Sequence, residues 1–354
     1  MNRQLSDVFA DDFDRRPLAV RPYLVAEAGV NHEGSLDIAR RLIDEAAAGG
    51  ADAIKFQTYK AGSLAVRDSP AYWDLSQEAT TSQYELFRRF DAFGPPEYEA
   101  LKAHCDAVGI AFMSTPFDAD AARFLNDLVD VHKISSSDLT NRPLIELVAS
   151  FGKPILLSTG ASDLAEISRA VGWVRQVGAP LALLHCVLNY PTAEDDAALG
   201  RIVSLRDAFP AHAVGYSDHT LPADLEALVV AAGLGAVVIE KHFTHDRTLP
   251  GNDHYHALDQ TALQQLVARL ERAVRLVGRF GLDHLEGEAL SRRYARRSLV
   301  TASAVTAGTR LEPHHLTWKR PGHGISPADI DQVVGRCVTR DLPPDTTLGW
   351  DDIA

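Results

Sequence analysis

Cysteine is scarce in this chain: Cys105, Cys186 and Cys337 are the only three in 354 residues, widely spaced and in no paired metal motif. That excludes a disulfide scaffold, and free, mostly buried thiols are expected. Long apolar runs are missing too, since none approaches the ~20 residues that a bilayer span needs. The opening MNRQLSDVFADDFDRRP mixes acids, bases and single apolar residues, without the continuous apolar stretch of an export signal. The cytoplasm is therefore the expected compartment. Positive charge is in deficit, with 35 Lys and Arg against 48 Asp and Glu and a formal net charge of -13. Nucleic acid is excluded as a partner on that ground, because phosphate-backbone binding needs a basic surface or stripe. An anionic ligand would need a local pocket of lysines, backbone amides or metal that overrides the mean field. No glycine-rich phosphate fingerprint occurs.

What is present has the composition of an ordinary globular protein, 46% hydrophobic and 23% charged. The length suits one large domain of ~250 residues plus a small one, or two middling ones. From Tyr23 onward, short apolar runs alternate with longer amphipathic stretches. The strand-like runs are YLVAEAG from Tyr23, AIKFQT from Ala53, IAFMST from Ile110, VHKISS from Val131, PILLST from Pro154, LALLHC from Leu181, AVGYSD from Ala213 and VVIEKHF from Val237. Between them lie helical patterns such as SLDIARRLIDEAAAGG, PPEYEALKAHCDAVG, DLAEISRAVGWVRQVG and LPADLEALVVAAGLG, each ending on Gly.

Eight strand-then-helix units predict an α/β fold of the (β/α)₈ TIM-barrel class, with a doubly wound sheet as the alternative. The polar residues favour the barrel. They fall at the C-terminal ends of the strands, where barrel enzymes keep their chemistry. The expected organisation is an N-terminal extension (1–20), a barrel (21–282) closed by a helix from Gln260 to Phe280, a charged connector of helical character (283–297), and a small β-rich unit (298–354). That last unit has β-branched runs and Gly and Pro turns, and is too small to be an enzyme by itself.

The sharpest constellation is His219 in YSDHT and His242 in EKHFT, at the ends of neighbouring strands. Two imidazoles with water and substrate oxygens make an open Lewis-acidic site; the alternative is that each merely hydrogen-bonds within the barrel mouth. Lys55 and Lys133 also sit at strand ends, beside hydroxyl clusters that include Thr115, Ser136, Ser158 and Ser217. One such serine alone reads as a helix cap. Four clusters with two lysines point to a ligand bearing phosphate and carboxylate. Glu27, Asp138, Glu240 and Asp253 could bind hydroxyls or exchange protons. Equally, Glu240 could orient a metal-bound histidine and Asp253 could pin its Gly-Asn turn, so their separate roles stay open.

The ordered motifs VAEAGVNHEGS, IKFQTY, STPFD, KISSSDLTN, FGKPILLSTG, LLHC, YPT, GYSDHT, EKHFT and LPGND resemble those of the N-acetylneuraminate synthase family of sialic-acid synthases. TWKRPGHGIS resembles that family's antifreeze-like (SAF) domain, and together the resemblance spans roughly residues 20–354. It implies a TIM barrel with an antifreeze-like appendage, in a dimer where each appendage caps the partner's barrel. By the same resemblance, His219 and His242 hold a divalent ion, manganese or magnesium. Lys55, Thr115, Lys133, Ser136, Ser158 and Ser217 match positions that hold phosphoenolpyruvate. Gln57, Asp138, Tyr190 and Asp253 match positions around an acylamino sugar, Arg320 matches an arginine contributed by the neighbouring subunit, and Glu27 matches the acid beside the reacting carbons.

Three departures stand out. Leu188 replaces an asparagine, with Asn189, one place further on, expected to take over its contact with the sugar; Asp138 replaces a longer glutamate; and HYHALD follows the PGND turn. The activity implied is condensation of phosphoenolpyruvate with the aldehyde of the sugar to a nine-carbon 2-keto acid, with release of phosphate. The rivals are another phosphoenolpyruvate-condensing synthase of shorter sugar acids and a non-catalytic sugar-binding protein on the same scaffold.

Overall fold

The computed structural model describes residues 4–10, 12–223, 225–251 and 253–354. Of the N-terminal extension, residues 1–3 and 11 lie outside the described residues. The chain divides into two compact units, Met1–Gly278 and Arg279–Ala354.

In the first unit eight parallel strands run β1 Tyr23–Gly29, β2 Ala53–Thr58, β3 Ala111–Pro116, β4 His132–Ile134, β5 Ile155–Ser158, β6 Leu181–Cys186, β7 Ala213–Asp218 and β8 Val238–His242. Their hydrogen-bonded order is β3-β2-β1-β8-β7-β6-β5-β4, and the two end strands β3 and β4 also lie in contact. The result is a nearly closed barrel with sequential neighbours side by side, as the strand count predicted. Strands and expectation agree to within two or three residues. The strands are buried on both faces because helices cover the outside, which is why they read as continuous apolar runs.

Local signals fix the helices between them. Ser35, Asp163 and Asp259 accept from the backbone N–H groups of Ile38, Glu166 and Ala262, starting helices Leu36–Gly49, Leu164–Val177 and Gln260–Val277. Gly178 ends the second of these in the left-handed conformation at φ 86°. Apolar residues at helical spacing, such as Leu42, Ile43 and Ala46, then bury against the barrel's outer face in one continuous cluster with Leu24, Ile54 and Phe56.

The N-terminal extension has a role that the sequence did not reveal. A 3₁₀ turn at Leu5–Phe9 buries Leu5 and Val8, with Phe9 and Phe13 beside them, against Tyr23, Ala53, Val131, Leu156, Ala182 and Ala213. Those are barrel-interior residues near the strand N-termini, so this segment stoppers the end opposite the polar mouth.

The second unit holds an antiparallel pair, β9 Ser298–Thr301 with β10 Leu316–Lys319, over its own apolar cluster of Leu299, Leu311, Ile325, Val338 and Leu348. The segment 283–297, expected as a connector, contains helix Ala289–Ala295 and belongs to this unit, where Gly322 N–H donates to the Arg293 carbonyl at 2.8 Å.

One tight contact tests the barrel's packing. A Cβ on Gly215 of β7 would lie 2.6 Å from the Val238 carbonyl oxygen and 3.0 Å from Val238 Cβ. Both are held by the sheet. Gly215→Ala should therefore destabilise the protein by about 1–3 kcal/mol, read as a lowered thermal midpoint in circular dichroism.

Candidate active site

Strand alternation explains why the motif residues have two destinations. On β7 and its exit, Ser217 and His219 line the barrel mouth while Asp218 between them faces the other way; on β8, Glu240 and His242 do the same around Lys241. The outward pair is a support. Lys241 donates to Asp218 Oδ2 at 2.7 Å and to the Thr220 carbonyl, and Asp218 also accepts from Tyr216 Oη at 2.7 Å and Thr220 N–H at 2.9 Å. Asp218 and Thr220 flank His219, so this buried network fixes its backbone.

Inside the mouth sits a small polar pocket lined by Glu27, Lys55, Thr115, Lys133, Ser136, Ser158, Ser217, His219, Glu240 and His242. The structure thus brings together every residue expected around an anion and a metal. Register sets the first contact, because Glu27 of β1 stands opposite Lys55 of β2. Lys55 pairs with Glu27, donates to Thr115 Oγ1 at 3.0 Å and lies 3.8 Å from Glu240 Oε2. Lys133 lies 3.5 Å from Glu240 Oε1, which also accepts from Ser217 Oγ at 2.9 Å. Glu240 therefore bridges the lysines and the serine instead of orienting a histidine. Ser136 Oγ accepts from Gly160 N–H at 2.9 Å, and Ser158 Oγ, 2% exposed, has no hydrogen-bond partner among the described residues.

Burial sets the electrostatics. It pushes the Glu27 carboxyl up to about 7, although Lys55 pulls the other way. Burial alone would raise Glu240 and lower both lysines. Lys133 and Lys55 together hold Glu240 below its ordinary value; Glu240 and Glu27 raise Lys55; Lys133 stays lowered. Gln57 Nε2 donates to Glu27 Oε1 at 3.0 Å, and Gly29, at φ 52°, leaves room for that bond. A Cβ there would lie 3.1 Å from Gln57 Nε2 and 3.3 Å from Glu27 Oε1.

The two histidines stand with ring centres 5.3 Å apart. Burial lowers His219 to about 4 and His242 well below its ordinary value, so both rings are neutral near pH 7. His219 Nδ1 lies 2.7 Å from the Val187 carbonyl, which cannot donate; Nδ1 carries the proton and the Nε2 lone pair is left free. His242 Nδ1 has no hydrogen-bond partner among the described residues and sits 3.8 Å from Asp253 Oδ2. These donors fit a divalent ion. His242, Asp253 and His256 each offer a ligand atom within 4.8 Å of the others.

A second cavity of about 340 Å³ adjoins the first, sharing Gln57, Phe117, Leu188, Tyr190 and His242. Asp138, Gln57, Tyr190 and Asp253, the residues matched to positions around a sugar, all line it. Asn189 does not. It is exposed and lines neither cavity, while Leu188 forms the wall. Burial raises the Asp138 carboxyl, against hydrogen bonds from Asn141 and Ser137. Tyr72, Trp73, Phe87 and Phe90 supply an aromatic wall from the long β2–β3 connection, which the sequence reading left unassigned. Asn31, also unassigned, donates to the Phe243 and Asp253 carbonyls at 3.0 and 3.3 Å and so ties the Asp253 loop to β1. Its signal was the polar Asn-His pair after a buried strand. Arg320 belongs to the second compact unit.

An eight-stranded parallel barrel with its buried ionisable groups gathered at the strand C-termini defines the class of (β/α)₈ enzymes. Residues 42–281 match the NeuB family and residues 296–354 the SAF domain, and the chain belongs to the NeuB family. It is 37% identical to the N,N'-diacetyllegionaminic acid synthase of Legionella pneumophila, over 94% of each chain. It is 31% identical to the pseudaminic acid synthase of Campylobacter jejuni, over 90% of this chain and 93% of that one. A crystal structure of the N-acetylneuraminic acid synthetase of Leptospira borgpetersenii, in complex with citrate, superposes with a TM-score of 0.69 at 35% identity, covering 77% of this chain and 90% of that one.

Removing the outward support tests its part in placing His219. Lys241→Met leaves Asp218 buried without its cation and should cost about 3–5 kcal/mol at pH 7. Despite burial, which raises it, Asp218 is held below its ordinary value by Lys241 and by hydrogen bonds. Its contribution is therefore present above the unfolded carboxyl value and lost on acidification. The gap in thermal midpoint between variant and parent should narrow as the pH falls below about 4, where an unfolded Asp takes up its proton, towards the lower folded value.

Proposed function

We propose that this chain is a nonulosonate synthase that condenses phosphoenolpyruvate with an N-acylated hexosamine-type sugar, N-acetylmannosamine or a dideoxy-diacetamido relative, to a nine-carbon 2-keto acid and phosphate. The observation that carries the reading is one polar pocket holding two buried lysines, a serine hydroxyl without a hydrogen-bond partner among the described residues and two neutral imidazoles, opening onto a larger cavity with an aromatic wall.

Lys55, Lys133, Thr115, Ser136, Ser158 and Ser217 hold the phosphate and carboxylate of phosphoenolpyruvate, in a site shielded from water where each charge-assisted bond is strong. His219 and His242 would hold a divalent ion, which would supply Lewis-acid polarisation of the sugar's aldehyde oxygen. Gln57, Asp138, Tyr190 and Asp253 orient the open-chain sugar so that its aldehyde carbon meets C3 of phosphoenolpyruvate. The C2=C3 electron pair of phosphoenolpyruvate forms the bond to the aldehyde carbon, which leaves C2 cationic and the aldehyde oxygen an alkoxide; water adds at C2, one of its protons goes to the alkoxide, and the C2–O bond to phosphate breaks as the new C2 hydroxyl gives up the other and becomes the ketone. Glu27 is the group for the water's proton, because a carboxyl raised to about 7 can accept one and return it near neutral pH. Asn189 is left out of the sugar contacts, since it is exposed.

The acceptor is completed across a dimer in this reading. Arg320, always cationic, reaches the sugar's acyl carbonyl from the partner's SAF domain. The compartment is the cytoplasm, in keeping with three unpaired cysteines and with no helix, among the described residues, long and apolar enough to cross a membrane.

Phosphate release from phosphoenolpyruvate, measured with a panel of acylamino sugars, should occur with at least one of them and stop on chelation. Lys133→Ala should raise the Michaelis constant for phosphoenolpyruvate at least about tenfold, the loss of one charge-assisted contact. No release with any acylamino sugar would sink the reading, and full turnover in excess chelator would sink its metal step.

Subunit mixing tests the shared site. Arg320→Ala chains and His219→Ala chains, each poorly active alone, should regain activity when combined, because one barrel of the mixed dimer has both its histidine and a partner's arginine. Exchanged dimers with no recovery would assign Arg320 to its own barrel or to stability.

A further inference from the structure

His256 is unused by the reaction just described, yet it stands at its centre. It is 0% exposed, and neither ring nitrogen has a hydrogen-bond partner among the described residues. Its Nε2 lies 3.7 Å from Asp253 Oδ1, beyond a hydrogen bond. Buried polar atoms are nearly always satisfied, so an imidazole enclosed in this way calls for a ligand.

The geometry says which one. Ring centres stand 4.7 Å apart for His242 and His256, 5.3 Å for His219 and His242, and 6.3 Å for His219 and His256. Imidazoles bound at ~2 Å to one tetrahedral ion have ring centres about 5 Å apart, as His242 has with His256 and with His219; the ligand atoms that all lie within 4.8 Å of one another are those of His242, Asp253 and His256, without His219. The rings are tilted to one another, at 61°, 69° and 79°, and are not stacked. Tyr190 backs the group, with its ring 4.2, 5.9 and 5.7 Å from His219, His242 and His256. Tyr255 Oη donates to the Tyr190 carbonyl at 2.9 Å and anchors the segment that carries His256.

We propose that His256 is a further ligand of the divalent ion held at His242, in the group it forms with His242 and Asp253, and that the centre selects a nitrogen-preferring ion, cobalt, zinc or iron(II), over magnesium. The inference rests on the reading of His219 and His242 as metal ligands. Magnesium takes a near-octahedral shell of oxygens and keeps its waters, whereas imidazoles suit the later transition ions. Asp253, beside two of the rings, balances the charge of the ion and fixes ring orientation.

The test is cobalt binding to the full-length, metal-stripped protein, followed by calorimetry and by visible absorption, with magnesium as competitor. The parent should bind cobalt in preference to magnesium and show the intense bands of a four- or five-coordinate ion. His256→Ala should weaken cobalt binding at least about tenfold and dim those bands, in line with the loss of one ligand. An unchanged isotherm and spectrum in His256→Ala, with binding abolished in His242→Ala, would remove His256 from the centre and leave the two-histidine reading intact. Cobalt binding untouched in both variants would remove the centre itself, and the inference with it. Circular dichroism of the metal-free variants guards against misfolding, and His256→Gln, closer in volume, is read in the same way if the alanine variant does not fold.

Discussion

Lys55 lies between Glu27 and Glu240, with Lys133 on the far side of Glu240, and no member of this group is more than about a twentieth exposed. Buried charges are tolerable only when each is paired and hydrogen-bonded, and removal of one partner strands the other. The barrel's register is what supplies the pairs: Glu27 faces Lys55 across β1 and β2, and Ser217 faces Glu240 across β7 and β8. A slip of one residue in any of these strands would turn its charge to the apolar helix layer. The cluster thus constrains the register, and the register aims the hydroxyls, lysines and imidazoles at one point.

The stoppered end of the barrel has a part in this. With Leu5, Val8 and the strand N-terminal residues filling the base, apolar side chains close off the charges on that side. The Glu27 carboxyl is raised as a consequence of that enclosure, and its proximity to Lys55 keeps it within a proton's reach of neutrality.

Much of this was legible in the sequence, for physical reasons that differ by element. The strands were readable because double-sided burial makes each a compact apolar run, and the polar residue that ends each run marks the mouth. The helices were readable because Ser35 or Asp163 starts them and a glycine such as Gly178 stops them. What is set across the barrel was not. Whether Glu240 meets a lysine or a histidine depends on neighbouring strands, which one chain's order does not reveal. Asn189 was assigned by its proximity in sequence to a familiar position, but the backbone turns it outward and leaves Leu188 on the wall. The aromatic wall escaped notice because its members come from a long connection whose short helix, Gln83–Phe90, exposes much of its surface. His256 gave only a faint signal, an unfamiliar pair of histidines around Tyr255.

The loop that carries Asp253 and His256 is pinched shut at its base. Phe243 N–H donates to the Glu27 carbonyl at 2.7 Å, Thr244 N–H to the Leu258 carbonyl at 2.8 Å and Leu258 N–H to the His242 carbonyl at 2.7 Å, so the chain leaves and rejoins the barrel at nearly one place. Insertions or replacements inside such a noose do not pull on the strands that bear the lysines and glutamates. The segment from 245 to 257 is therefore a cassette. A replacement there changes the lining of the larger cavity, to which Gly251, Asp253 and His254 contribute, while the strands beneath keep their register.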